Sequence, residues 1–154
     1  AALEDAPGRA AEGGRAVKRL NISSGAPWEA TVGYSRAVRV GQIVEVAGTT
    51  AVDDGGNVVG AGSPYTQARF VLEKIGRALA EAGVGFEDVI RTRIYVTDIS
   101  RWEEVGRAHG EVFRNVRPAS TLVAVASLVR PDLLVEIEAT AVAPDGRGGG
   151  VHQS

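Results

Sequence analysis

The residue pattern predicts a single α+β domain, and three observations carry that reading. Two stretches repeat apolar residues at helical spacing, and several others alternate with the two-residue period of strands. The chain's 154 residues suit one hydrophobic core. The predicted order is β-β-(β)-α-β-α-β-β, a single sheet with two helices on one face.

Each element has its own signal. Arg39 to Ala47 reads as two short β-branched strands around a turn at Gly41. Asp53-Asp54-Gly55-Gly56 is a turn, and Asn57-Val58-Val59 is a candidate third strand. Ser63-Pro64 opens a helix, because serine caps free N–H groups and proline fits the first helical position. Its stripe is Ala68, Val71, Leu72, Ile75, Leu79 and Ala82, and Gly83 ends it. Asp88 to Asp98 reads as a strand with Ile90, Thr92, Ile94 and Val96 on one face and Arg91, Arg93 and Tyr95 on the other. Ser100-x-x-Glu103 reads as a capping box for a second helix, whose inner positions are Val105, Ala108, His109, Val112 and Phe113. Pro118 stops that helix. Thr121 to Ala126 is apolar on both faces, and Leu134 to Val142 alternates with Val135, Ile137, Ala139 and Ala141 on one side. Residues 1–18 read as a disordered extension, 19–143 as the domain and 144–154 as a flexible tail.

Two helices cover one face of such a sheet, and a strand apolar on both sides leaves the other face to be covered too. The sequence therefore predicts association of copies through the sheet. Composition narrows the function classes. A net charge of −2 gives no footprint for nucleic acid or for an anionic membrane. With no cysteine and two histidines, neither a thiolate site nor a histidine-built metal centre is expected, and no cofactor is implied. No apolar run reaches the ~18 residues of a membrane span, and the first residues hold no signal core, so the expected compartment is the cytoplasm.

Six short motifs stand in a telling order: Gly33-Tyr34-Ser35, Val46-Ala47-Gly48, Gly83 followed by Phe86-Glu87-Asp88-Val89, Tyr95-Val96-Thr97-Asp98, Arg117-Pro118-Ala119 and Val135-Glu136-Ile137-Glu138-Ala139. Together they resemble the Rid/YjgF family of reactive intermediate deaminases, also called L-PSP endoribonucleases, over about Asn21 to Ala143. The resemblance implies a chorismate-mutase-like α+β fold. It also implies a homotrimer with a central barrel and three small-molecule clefts between subunits. By the same resemblance Tyr34 lies beside the cleft, Gly48 at its ligand-binding strand end, and Glu136 positions or activates water. One position departs from the pattern. The arginine that follows Pro-Ala in active members, a bidentate grip for a carboxylate, is Ser120. Ala47, Gly106 and Leu122 replace other polar lining residues, which marks a divergent branch.

The residues themselves give a parallel set of candidates. Alternation points Glu136 and Glu138 away from the apolar row, where partial burial would raise a carboxylate's pKa and suit it to general acid–base work. The competing reading of both is ion pairing. Arg93 falls on the same side, either as a displaced carboxylate grip or as the partner of a barrel salt bridge. Tyr34 is either a cleft phenol or an interface residue. Ser120 and Thr121 are either hydrogen-bonding groups for a polar ligand or a solvated strand start. His109 reads as a satisfied core histidine. Three functions follow: an imine or enamine hydrolase of altered specificity, a non-catalytic metabolite-binding trimer, and, least supported by an acidic chain, a ribonuclease.

Overall fold

The computed structural model describes residues 17–145. The expected N-terminal extension and C-terminal tail lie almost wholly outside them. Six strands form one sheet: β1 (Arg19–Ile22), β2 (Ala37–Val40), β3 (Ile43–Thr50), β4 (Val89–Val96), β5 (Ala119–Ala124) and β6 (Val135–Val142), in the spatial order β1-β2-β3-β6-β4-β5. All neighbours are antiparallel except β4 and β5. The helices are α1 (Pro27–Val32), α2 (Pro64–Glu81) and α3 (Trp102–Phe113).

Both long helices form for the reasons expected. Ser63 Oγ accepts from the Thr66 N–H, and Pro64 occupies the first turn of α2. At the other end Gly83 adopts φ 81°, and Gly83 and Val84 donate to the Ala80 and Leu79 carbonyls, a Schellman termination that glycine makes cheap. Val71, Leu72, Ile75 and Leu79 of α2 pack with Val105, Ala108 and Phe113 of α3 onto one face of the sheet. Against them lie Val44, Val46, Ile94, Val96 and the alternate residues Val135, Ile137, Ala139 and Ala141 of β6, all buried. Gln67 is fully buried, and its amide spans to the Asp132 carbonyl at 3.0 Å and the Leu134 N–H at 2.9 Å, fixing the entry to β6.

Four local expectations are corrected. The third N-terminal strand is β1 and not Asn57-Val58-Val59, which makes only an isolated bridge between Val52 and Val58. A third helix, α1, exists; at six residues it is too short to show a periodic stripe. On β4 a bulge between Val89 and Arg91 shifts the alternation, so Val89 is buried and Ile90 is 53% exposed. The Ser100–Glu103 box does not form. Asp98 instead accepts from the Ser100 N–H at 3.0 Å and caps a 3-10 turn ahead of α3, while Arg101 pairs with Glu104.

Among the described residues, no long helix covers the second face of the sheet. Val40, Ile43 and Val142, paired across β2, β3 and β6, form an exposed apolar end. Toward β4 the same face is charged and polar, with Glu136, Glu138, Arg91, Arg93 and Tyr95. The uncovered face is therefore apolar only in part. Among the described residues, no helix is long and apolar enough to cross a membrane.

Candidate active site

Glu136 is built into place by the sheet. Val135 and Ile137 on either side enter the core, so Glu136 must project from the open face, between Thr50 of β3 and Tyr95 of β4. β3 bulges between Val46 and Thr49, and the carboxylate of Glu136 lies over Gly48 in that bulge. A Cβ on Gly48 would overlap the carboxylate oxygen, so glycine is what lets the side chain lie there. Burial raises the Glu136 pKa; Arg36 opposes that shift and Glu138 adds to it.

The neighbouring glutamate is treated differently. Glu138 accepts a hydrogen bond from Tyr95 Oη at 2.8 Å and sits 3.9 Å from Arg93 Nη1. Among the described residues no hydrogen-bond donor is directed at Glu136. Glu138 is thus a paired strand carboxylate, whereas Glu136 is a half-buried acid with no such partner among the described residues.

Arg36, which the sequence reading passed over, organises this corner. It lies just before β2 and is 9% exposed; its Nη1 donates to the Gly48 carbonyl at 2.9 Å and to Thr49 Oγ1 at 2.8 Å. Its guanidinium stands 5.7 Å from the Tyr34 ring centroid. Tyr34 follows Gly33, whose φ of 84° ends α1 and turns the chain toward β2. Tyr34, Glu138, Glu45 and Val38 line a broad trough of about 600 Å³ on the open face. The structure therefore gathers Glu136, Gly48 and Tyr34 around Arg36. The available signal was Arg36 itself, a cation set directly after Tyr34-Ser35.

Arg93 shares a face with Glu136, as alternation predicts, but its nearest acidic partner is Glu138. Ser120 and Thr121, taken together in the sequence, are separated by the pleat. Thr121 lies on the open face and accepts from Arg91 Nη2 at 2.7 Å. Ser120 lies on the helix side, where its Oγ is 2.8 Å from Thr92 Oγ1, which is in turn 2.9 Å from His109 Nε2. His109 lies against Phe113 at 4.6 Å between ring centroids, and burial lowers its pKa, which favours the neutral ring. Thr92 had a readable signal: a lone hydroxyl in an apolar row must find a partner.

Among the described residues no group of three His, Cys, Asp or Glu could hold a metal ion. The open-face corner offers a carboxylate, a phenol and a guanidinium, and the helix side of the sheet offers the Ser120 and Thr92 hydroxyls and the His109 imidazole.

Comparison with known proteins places the fold among relatives. A family model described as Endoribonuclease L-PSP matches residues 24–143. A Streptomyces coelicolor protein, SCO2049, is 43% identical over 126 residues, 82% of this chain and 92% of its own. The 3-aminoacrylate deaminase RutC of Acinetobacter baylyi is 35% identical over 108 residues, 70% of this chain and 85% of its own. Rv2704 of Mycobacterium tuberculosis, described as a member of the YjgF/YER057c/UK114 family, superposes with a TM-score of 0.75 at 49% identity, covering 82% of this chain and all, 100%, of that one. The chorismate-mutase-like α+β fold expected from the motifs is the one observed. By its matched span, its relatives and its fold, the chain belongs to the Rid/YjgF (Endoribonuclease L-PSP) family.

Proposed function

We propose that the protein is an imine or enamine deaminase of altered specificity, working as a homotrimer with its clefts between subunits and Glu136 as general base and acid. The observation that carries this reading is the contrast between two glutamates on one strand: Glu138 is paired, and Glu136 is half-buried, raised in pKa and without a hydrogen-bond donor or ion pair among the described residues. A carboxyl raised in this way by burial is better suited to take a proton and give it back than an ordinary surface glutamate. An enamine first tautomerises to its imine. Water then adds to the C=N carbon as Glu136 takes one of its protons, giving a carbinolamine. Return of that proton to nitrogen completes the carbinolamine R₂C(OH)NH₂; Glu136 then takes the hydroxyl proton and passes it to nitrogen, and the C–N bond breaks as C=O forms, so R₂C=NH and H₂O become R₂C=O and NH₃. Tyr34, placed through Arg36 at the same corner, borders the substrate. RutC, a deaminase, supports the reaction class by kinship.

The trimeric cleft is supported by a geometric mismatch. Ser120 and Glu136 lie on opposite faces of one sheet, so a pocket that uses both needs them from different copies. A second reading, a metabolite-binding trimer without turnover, is favoured by Ser120 alone, since a hydroxyl brings no charge to hold a carboxylate.

The test generates imines in situ with an amino-acid dehydratase or oxidase and follows ammonia release. The deaminase reading expects acceleration by this protein over buffer and a loss of about 100-fold or more in Glu136→Gln. If no imine is hydrolysed faster than in buffer, the binding reading replaces it.

A further inference from the structure

The chain from Ser120 through Thr92 to His109 has no part in the water chemistry assigned to Glu136, yet it is built with care. Thr92 is fully buried on β4 between its two partners, Ser120 Oγ at 2.8 Å and His109 Nε2 at 2.9 Å. Its outer end, Ser120, is exposed at the edge strand β5, and its inner end lies against Phe113 within the α3 layer. We infer that this hydrogen-bonded chain is a ligand-binding end of the cleft that selects an uncharged carbonyl or amide group over a carboxylate, with its polarity set at His109.

Hydroxyl chemistry fixes how such a chain can be oriented. Each hydroxyl in a chain donates once, so all the donors must point the same way. When His109 carries its proton on Nε2, it donates to Thr92, Thr92 donates to Ser120, and Ser120 presents an O–H to the ligand. When Nε2 is bare, Thr92 donates inward, Ser120 donates to Thr92, and the Ser120 oxygen is left to accept. A neutral imidazole exchanges these two tautomers at no cost in net charge. Ser120 can therefore meet a carbonyl oxygen or an amide N–H, the two groups that an amide presents side by side.

A carboxylate fits such an end poorly. It needs two or more donors or a cation, and this chain supplies one neutral donor. The arginines of the adjoining strand do not help on this side of the sheet. Arg91 donates to Thr121 and Arg93 faces Glu138, both on the opposite face. The inference rests on the cleft proposed above, and it names the substrate class that altered specificity would mean: an imine whose neighbouring group is an amide or ester.

Pyruvamide and pyruvate test it, because they differ at that single group. The full chain carrying His152→Gln, which leaves His109 as its one histidine, is titrated with each while the ring nitrogens of His109 are followed by NMR. Pyruvamide is expected to bind about ten-fold or more tightly than pyruvate and to shift the ring nitrogens toward one tautomer. Ser120→Ala, at an exposed position, should abolish both the preference and the shift. Thr92→Val should silence the His109 response even where binding persists. Equal or tighter binding of pyruvate overturns the inference, as does pyruvamide binding that leaves the His109 nitrogens unmoved or survives Ser120→Ala intact. The readout is binding and not turnover. A protein that deaminates only acid imines fails this test with its deaminase function standing, and one that deaminates nothing can still pass it.

Discussion

β6 shows two kinds of residue on alternate positions. Val135, Ile137, Ala139 and Ala141 are at most 1% exposed and are satisfied by packing, while Glu136 and Glu138 face the other way and must be satisfied by charge and hydrogen bonds. On the first face every position has the same task, and any side chain of the right volume serves. On the second, two glutamates two residues apart have different surroundings, and the proposed chemistry rests on that difference. The helix-covered face holds the molecule together; the open face distinguishes this protein from any other sheet with the same core.

The sharpest way to probe that division is to cut into the packed face. Ile137→Ala removes a fully buried side chain at the centre of the sheet and should lower stability by about 3 kcal/mol, within the range for such cavities. Chemical denaturation measures it directly. A loss under about 1 kcal/mol would mean that the two faces differ less than the burial suggests.

Gly48→Ala probes the boundary between the faces. Its new methyl meets the end of the Glu136 side chain, which can swing away, so stability should change by less than about 1 kcal/mol while deaminase activity falls as the carboxylate is displaced. Unaltered activity would separate Glu136 from the bulge. Glu136→Gln sharpens the same point through pH. The folded-state pKa of Glu136 is raised, so its protonated form is favoured in the folded protein. That advantage is present at low pH and lost as pH rises through the folded value. Replacing Glu136 with neutral glutamine should therefore raise the melting temperature at pH 7, and the gain should vanish as pH falls below the ordinary carboxylate value. A melting temperature lowered at pH 7 would show that the charged form has a partner within the chain. The smallest effect belongs to Arg93→Ala. Its ion pair with Glu138 is long at 3.9 Å and nearly half exposed, so its loss should cost no more than about 0.5 kcal/mol. Pyruvate binding should be unchanged by it; loss of pyruvate binding would place a carboxylate grip on the open face.

The packed face was legible in the sequence because its rule is periodic. The stripes of α2 and α3 and the alternation of β6 name their own core residues, and the motif order names the family fold. What periodicity could not reach were the places where the period breaks or the partner is distant in sequence. The β4 bulge exchanged Ile90 for Val89, and α1 is shorter than two full turns. Arg36 meets Gly48 twelve residues on, and Thr92 meets Ser120 twenty-eight residues on, through strand pairing that no local window contains. Glu136 was legible as facing outward; that Glu138 is paired and Glu136 is not required the register of β4.

The central claim is that Glu136 of one copy works across a boundary from Ser120 of another. Glu136→Gln chains and Ser120→Trp chains, the latter blocking the cleft at an exposed position, should each be inactive alone in the imine assay. Mixed in equal amounts and allowed to exchange subunits, they should regain about one quarter of the wild-type rate, the share of clefts built from two intact halves. Exchange verified by native mass spectrometry with no return of activity would contradict the account.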